Sequence, residues 1–339
     1  MPGYVLDGAG VVDLPHQPLA VTVDATTVTV QVQAMTPDGA PEASALYPKP
    51  GFLVLPRVTH EIVVAARPGG GAVVFPQGTV LQATIGVDSS RSADPDRAEL
   101  TPLDVSGLHH VELATIAPAG ERLAVTARKT VVDVPLSDLG ARARSAARGA
   151  LGADRLPEAR RLRVEVDIDT TMSMLPLIED GSVRAAVDVL TGITAVIGIR
   201  EELQVNLIGR SSRSLPVVEL RHVADQVQAQ LDAAPLGVGF RSAEIDRSSY
   251  NTPTLVFTVT DALPADHTGT GVPGVRRRPV ILCADTSDAA AGLGTAVPPT
   301  GETAGTDSDW LSSPEKLFAT VTSLVAGLSA TTESEGARR

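Results

Sequence analysis

Asp169 closes the run Leu162-Arg-Val-Glu-Val-Asp-Ile-Asp169, and hydroxyls follow two and four residues later at Thr171 and Ser173. One carboxylate and two alcohol oxygens in so short a span form a set of hard ligands, the kind that Mg²⁺ or Ca²⁺ accepts. A second acid, Asp261, follows another apolar run, Leu255-Val-Phe-Thr-Val-Thr260. Such residues can bind a divalent cation if the chain brings them to one point. Other chemistries find less support. The chain has no Gly-x-Ser-x-Gly elbow, no Gly-x-x-x-x-Gly-Lys phosphate loop and no Cys/His cluster with zinc spacing. His109 and His110 are adjacent, so on a strand they face opposite sides and cannot jointly bind one metal. His60, beside Glu61, reads as a surface residue. Asp167 and Asp169 share one face of a strand and could mimic a paired-carboxylate hydrolase centre, but no candidate nucleophile accompanies them.

The elements around these residues have a regular grammar. Val164, Val166 and Ile168 alternate like a strand, which puts Asp169 at its end and Thr171 and Ser173 in the loop beyond. In an open α/β sheet, ligands bind in the crevice outside the carboxyl ends of the strands. Val183, Ala186, Val187, Leu190, Ile193, Thr194 and Ile197 then fall at helical spacing, with Asp180 or Ser182 as the N-cap. Leu203–Ile208 alternates as a second strand, and Arg221–Ala233 carries Val223, Val227 and Leu231 at helical spacing. Leu255–Thr260 is a buried strand ending at Asp261, and Pro279–Ala284 is another, ending at Asp285. Strand, helix, strand, helix, strand describes a mainly parallel sheet with its acids on one edge.

At these residues the chain resembles a family. Asp169-Thr-Thr-Met-Ser-Met174 resembles the Asp-x-Ser-x-Ser-Met signature of the von Willebrand factor A (vWA) domain, and Thr260-Asp261-Ala262 resembles its later Thr-Asp-Gly. Leu175–Gly181, followed by Val183, is similar to the copine-like branch found in bacterial tellurium-resistance proteins of the TerF type. The resemblance covers residues 161–290 and is strongest over 164–197. It implies a Rossmann-like sheet with a metal-ion-dependent adhesion site at its top. There Asp169, Thr171 and Ser173 would supply the first loop and Asp261 the last, and a protein partner's carboxylate would complete the shell around Mg²⁺, Mn²⁺ or Ca²⁺. The chain also departs from the family. The usual Gly-Gly-Thr loop corresponds to Gly237-Val-Gly-Phe-Arg-Ser-Ala-Glu-Ile245, where Ser242 is the available hydroxyl. Ala262 replaces a glycine, and no helix fits between Ile245 and Pro253.

Residues 19–134 lack a helical period and instead repeat short alternating segments. These are Ala20–Val23, Thr27–Val32, Glu61–Val64, Ala72–Phe75, Val80–Ile85, Val111–Ile116 and Leu123–Ala127, separated by Pro, Gly, Asp and Ser clusters. Short strands divided by turn signals predict an antiparallel β-sandwich. TerF-type vWA domains travel with TerD-like β-sandwich domains, and the stretch Asp94–Asp104 resembles that family's acidic turn, where acids help bind Ca²⁺. Here Asp88, Asp94 and Asp96 read as a solvated turn.

The chain is therefore expected to be α+β with two domains: a β-sandwich over 1–135, a helical linker over 136–160 and a vWA-like α/β domain over 161–330. The Ala/Arg-rich linker, with Arg142, Arg144, Arg148, Arg155, Arg160 and Arg161, reads as a helix with a solvated basic face. Residues 286–309 read as a loop, Pro314–Leu328 as a final helix and 331–339 as a disordered tail.

Composition excludes several partners. With 339 residues, 43% hydrophobic, the chain is globular. A net charge of −12 and only 3% aromatics oppose sequence-independent nucleic-acid binding and base stacking. No apolar run of about 18 residues predicts a membrane span, and the start has no basic or apolar leader, which fits a cytoplasmic protein. Cys283, the sole cysteine, is expected to be a buried, inert thiol. Two functional classes remain. One is a cation-dependent protein-interaction module in a bacterial stress system. The other is a metal-dependent hydrolase using Asp169 and Asp261, and a metal-free scaffold stands beside both.

Overall fold

The structure is a computed structural model that describes residues 3–7, 10–88, 96–128, 135–200, 202–209, 211–233, 236–239, 245–263, 272–283, 294–300 and 311–328. The fold is α+β and strand-rich, and the chain divides into two compact units. One comprises Met1–Asp133, Leu151–Pro157 and Leu328–Arg339; the other comprises Val134–Ala150 and Glu158–Gly327.

The first unit holds β1 (Gly3–Leu6), β2 (Val11–Pro15), β3 (Leu19–Ala25), β4 (Val30–Met35), β5 (Leu46–Lys49), β6 (Phe52–Leu55), β7 (Ile62–Pro68), β8 (Val80–Val87), β9 (Arg97–Asp104), β10 (Val111–Ala119) and β11 (Arg122–Ala127). They form two sheets of order β1-β9-β8-β3-β6-β5 and β2-β11-β10-β7-β4. Every pairing within them is antiparallel except β1 with β9. Period-two burial along the strands explains the core. Val21, Ile85 and Leu53 from one sheet and Ile116, Val125 and Val64 from the other join a single hydrophobic cluster.

Several expectations need correction here. Ala72–Phe75 is not a strand: it bends, and buried Phe75 donates its N–H to Leu108 O at 2.8 Å. The acidic stretch before Asp104 is not a turn from Arg97 onward but the strand β9, paired with β8. Val30, not Thr27, opens β4. Asp94 lies outside the described residues.

The second unit begins with α1 (Asp138–Leu151) and continues with β12 (Arg163–Asp169), α2 (Leu175–Glu179), α3 (Ser182–Ile197), β13 (Glu202–Ile208), β14 (Ser212–Ser214), β15 (Val218–Glu219), α4 (Val223–Ala233), β16 (Thr254–Thr260), β17 (Val275–Leu282), β18 (Thr295–Val297) and α5 (Pro314–Val325). Its sheet runs β14-β13-β12-β16-β17-β18, parallel throughout except where β14, and β15 beside it, turn back on β13. All seven residues of β16 are buried, as expected of a central strand covered on both faces. In α3, Val183, Ala186, Val187, Leu190, Ile193 and Ile197 are buried, so its apolar stripe faces the core.

Four details differ from the sequence reading. The N-cap of α3 is Gly181, with φ 82°, while Asp180 Oδ1 accepts the Ser182 N–H at 2.9 Å from one residue further out. The short strand β18 lies within the stretch expected to be a loop. The helix α1 is not simply solvated on its basic side, because Arg148 is buried. Cys283 is half-buried rather than enclosed, and β17 ends before it. Asp285 and the tail 331–339 lie outside the described residues.

Candidate functional site

The strand β12 decides the chemistry of the second unit. Its alternate residues Glu165, Asp167 and Asp169 share one face, and all three are buried in the centre of the sheet. Buried carboxylates are costly unless paired. Arg247, itself fully buried on the loop before β16, supplies the pairing. Its Nε donates to Glu165 Oε2 at 2.9 Å and its Nη2 to Asp167 Oδ1 at 2.6 Å. Asn206, in register with Asp167 on β13, donates to the same Oδ1 at 2.8 Å and accepts from Ser214 Oγ at 2.7 Å. Arg163 closes the outer end, donating to Glu165 Oε1 at 2.8 Å and lying 4.1 Å over the Tyr250 ring.

Asp169 is treated differently. No guanidinium contact to it is found among the described residues, and it opens into a cleft of about 390 Å³ at the carboxyl edge of the sheet. The cleft is lined by Thr171, Met172 and Ser173 from the loop after β12, by Gly237, Val238 and Gly239, and by Thr260, Asp261 and Ala262 after β16. Asp169 Oδ1 accepts the Thr171 N–H at 2.8 Å, which folds the loop back over the strand end. Asp169 Oδ2 accepts from Thr260 Oγ1 at 2.9 Å. Burial pushes the Asp169 carboxyl above its ordinary range; the Thr171 amide and hydroxyl and the Thr260 hydroxyl oppose the rise, and the charge of Asp261 adds to it.

Thr171 Oγ1 and Ser173 Oγ lie 3.1 Å apart. Neighbouring oxygens on an octahedral cation with bonds near 2.1 Å stand about 3 Å apart, so these two hydroxyls have the spacing of a shared ligand pair. The 237–239 loop is fixed against them by a parallel bridge, with Gly237 N–H on Thr170 O and Met172 N–H on Gly237 O, both at 3.0 Å. The structure therefore brings Asp169, Thr171, Ser173 and Asp261 to one cleft. Ser242 lies outside the described residues. No family model and no curated protein matches the chain.

Asp167 shares a face with Asp169, as expected, but is committed to Arg247 and Asn206 beneath the cleft. Arg247 itself was missed. The signal for it lay in Glu165-x-Asp167 inside an apolar strand, which demands a buried cation without saying where it comes from. Thr260 was read only as a strand end and as part of the resemblance, yet it holds Asp169. A second cleft, of about 350 Å³, lies at the opposite edge of the sheet, with Arg163, Arg200 and Glu202 in its wall.

Proposed function

We propose that this chain is a protein-interaction module of vWA type whose cleft at Asp169, Thr171, Ser173 and Asp261 holds a divalent cation, Mg²⁺ or Mn²⁺ by its oxygen-only donors. One observation carries the reading: two loops that end neighbouring parallel strands deliver two carboxylates and two hydroxyls to a single cleft. A mainly parallel sheet flanked by helices, with the site at its carboxyl edge, supports the same reading. The residues fit the ion. Asp169 is buried and pushed toward protonation, so a cation beside it would relieve an existing electrostatic cost. When bound, the ion would bridge to a carboxylate of a protein partner. Asp169 and Asp261 would supply charge, Thr171 and Ser173 neutral oxygens, and Thr260 would orient Asp169 from behind. The setting we propose is a cytoplasmic bacterial stress or tellurium-resistance-like system, with the first unit a TerD-like β-sandwich.

Mn²⁺ binding followed by electron paramagnetic resonance tests the site. The wild type should bind one Mn²⁺ that Mg²⁺ displaces. Asp169→Ala should abolish this Mg²⁺-displaceable binding, and Ser173→Ala should weaken it roughly tenfold, the loss of one neutral ligand being worth about 1.4 kcal/mol. Mg²⁺-displaceable binding that survives Asp169→Ala would place the ion elsewhere and end the proposal.

A further inference from the structure

The first unit holds a different set of ligand atoms. His110 immediately precedes β10, Glu112 is the second residue of that strand, and Asp154 comes from the segment Leu151–Pro157. One ligand atom from each lies within 4.8 Å of the other two. All three residues are buried, at 1%, 7% and 8% exposure respectively. The backbone joins them, since the Asp154 N–H donates to Glu112 Oε1 at 3.1 Å. Arg67 Nε donates to His110 Nδ1 at 3.4 Å. A guanidinium can only donate, so Nδ1 accepts and the imidazole is neutral, the form that ligates metals.

The charges support the same conclusion. Two buried carboxylates side by side repel each other, and a dication between them relieves that repulsion. Arg128 pairs with Glu112, but its side chain is 36% exposed and its Nε also holds Thr115 Oγ1 at 3.0 Å. It can withdraw to water without stranding a buried charge. We propose that His110, Glu112 and Asp154 form a site for a transition-metal dication, with Arg128 pairing Glu112 while the metal is absent. One imidazole nitrogen and two carboxylate oxygens are the donor set of Zn²⁺ with an open fourth position, not of Mg²⁺. The site is independent of the cleft in the second unit.

The test uses Zn²⁺ on the full chain, stripped with EDTA and held in excess Mg²⁺ so that an all-oxygen site is filled. Calorimetry should find one Zn²⁺ per chain. Its affinity should fall at least about tenfold in Asp154→Asn and stay unchanged in Asp169→Ala. Arg128→Gln should tighten binding, because it removes the competing cation, whereas loss of a merely structural ion pair would not. Co²⁺ loading of the wild type needs no variant: it should shift and broaden the ring protons of His110. Absence of stoichiometric Zn²⁺ binding, an Asp154→Asn protein that binds as wild type, or Co²⁺ effects on another histidine but not His110 would each overturn the proposal.

Discussion

Three carboxylates alternate along β12, and the chain gives each a different fate. Glu165 and Asp167 are neutralised by Arg247 inside the sheet, while Asp169 is left to the cleft. Arg247→Met removes the shared cation from two buried acids and should cost about 3–5 kcal/mol in chemical denaturation; a loss under about 1 kcal/mol would mean that the acids are protonated or hydrated instead. A second carboxylate reports through pH. Burial raises the Asp188 carboxyl above its ordinary 3.8; the Ser137 hydroxyl and Arg184 oppose this, and Asp225 adds to it. A folded-state value above the unfolded one means that the folded form binds more protons between the two values. Stability is therefore fully present below the unfolded value and is lost as pH rises through the raised one. Asn at 188 can still accept from Ser137 Oγ, now 2.7 Å away. Asp188→Asn should lose less stability than wild type as pH rises above the ordinary carboxylate range in urea titrations; parallel losses would assign the pH dependence to other groups. At this scale the sequence named Asp169, Thr171, Ser173 and Asp261 because a strand end makes position predictable. Arg247 and the His110–Glu112–Asp154 group were not legible, because each is assembled by loops from distant segments.

Elements were legible where their period is long and undisturbed. The helix α3 and the strands β12, β13 and β16 were read from apolar spacing: β12 and β13 alternate, and β16, buried along its whole length, is a near-continuous apolar run. The strands β1, β2, β5, β6 and β9 escaped notice. They are four to eight residues long, and β5 is exposed along its whole length, so burial leaves no alternation to read. Helix crossings were also invisible. Gly192 in α3 meets α1 so closely that an added Cβ would run into Gly140 O and lie 2.7 Å from Arg144 N. On an open helix surface, glycine to alanine gains about 1 kcal/mol. Gly192→Ala should instead destabilise by about 1–3 kcal/mol through overpacking. Denaturation midpoints decide between the two, and a stabilised variant would show that the crossing relaxes freely.

For the whole molecule, composition and patterning foretold an α+β chain in which an antiparallel-rich part precedes a mainly parallel one. Among the described residues no helix is long and apolar enough to cross a membrane. The sequence did not foretell that segments would interleave: Leu151–Pro157 joins the first unit while Val134–Ala150 joins the second. Such assignment depends on tertiary packing, which no local period encodes. The central claim is that the Asp169 cleft binds a cation in the folded chain alone. Such binding stabilises by RT ln(1 + [L]/Kd), about 2.7 kcal/mol at a hundredfold excess over Kd, which for a unit of this size is roughly 5–10 °C in melting temperature. The decisive measurement is thermal unfolding of EDTA-treated wild type and Asp169→Ala with and without millimolar Mg²⁺. A rise of that size in wild type and none in Asp169→Ala is predicted; a wild-type melting temperature that neither Mg²⁺ nor Mn²⁺ moves would contradict it.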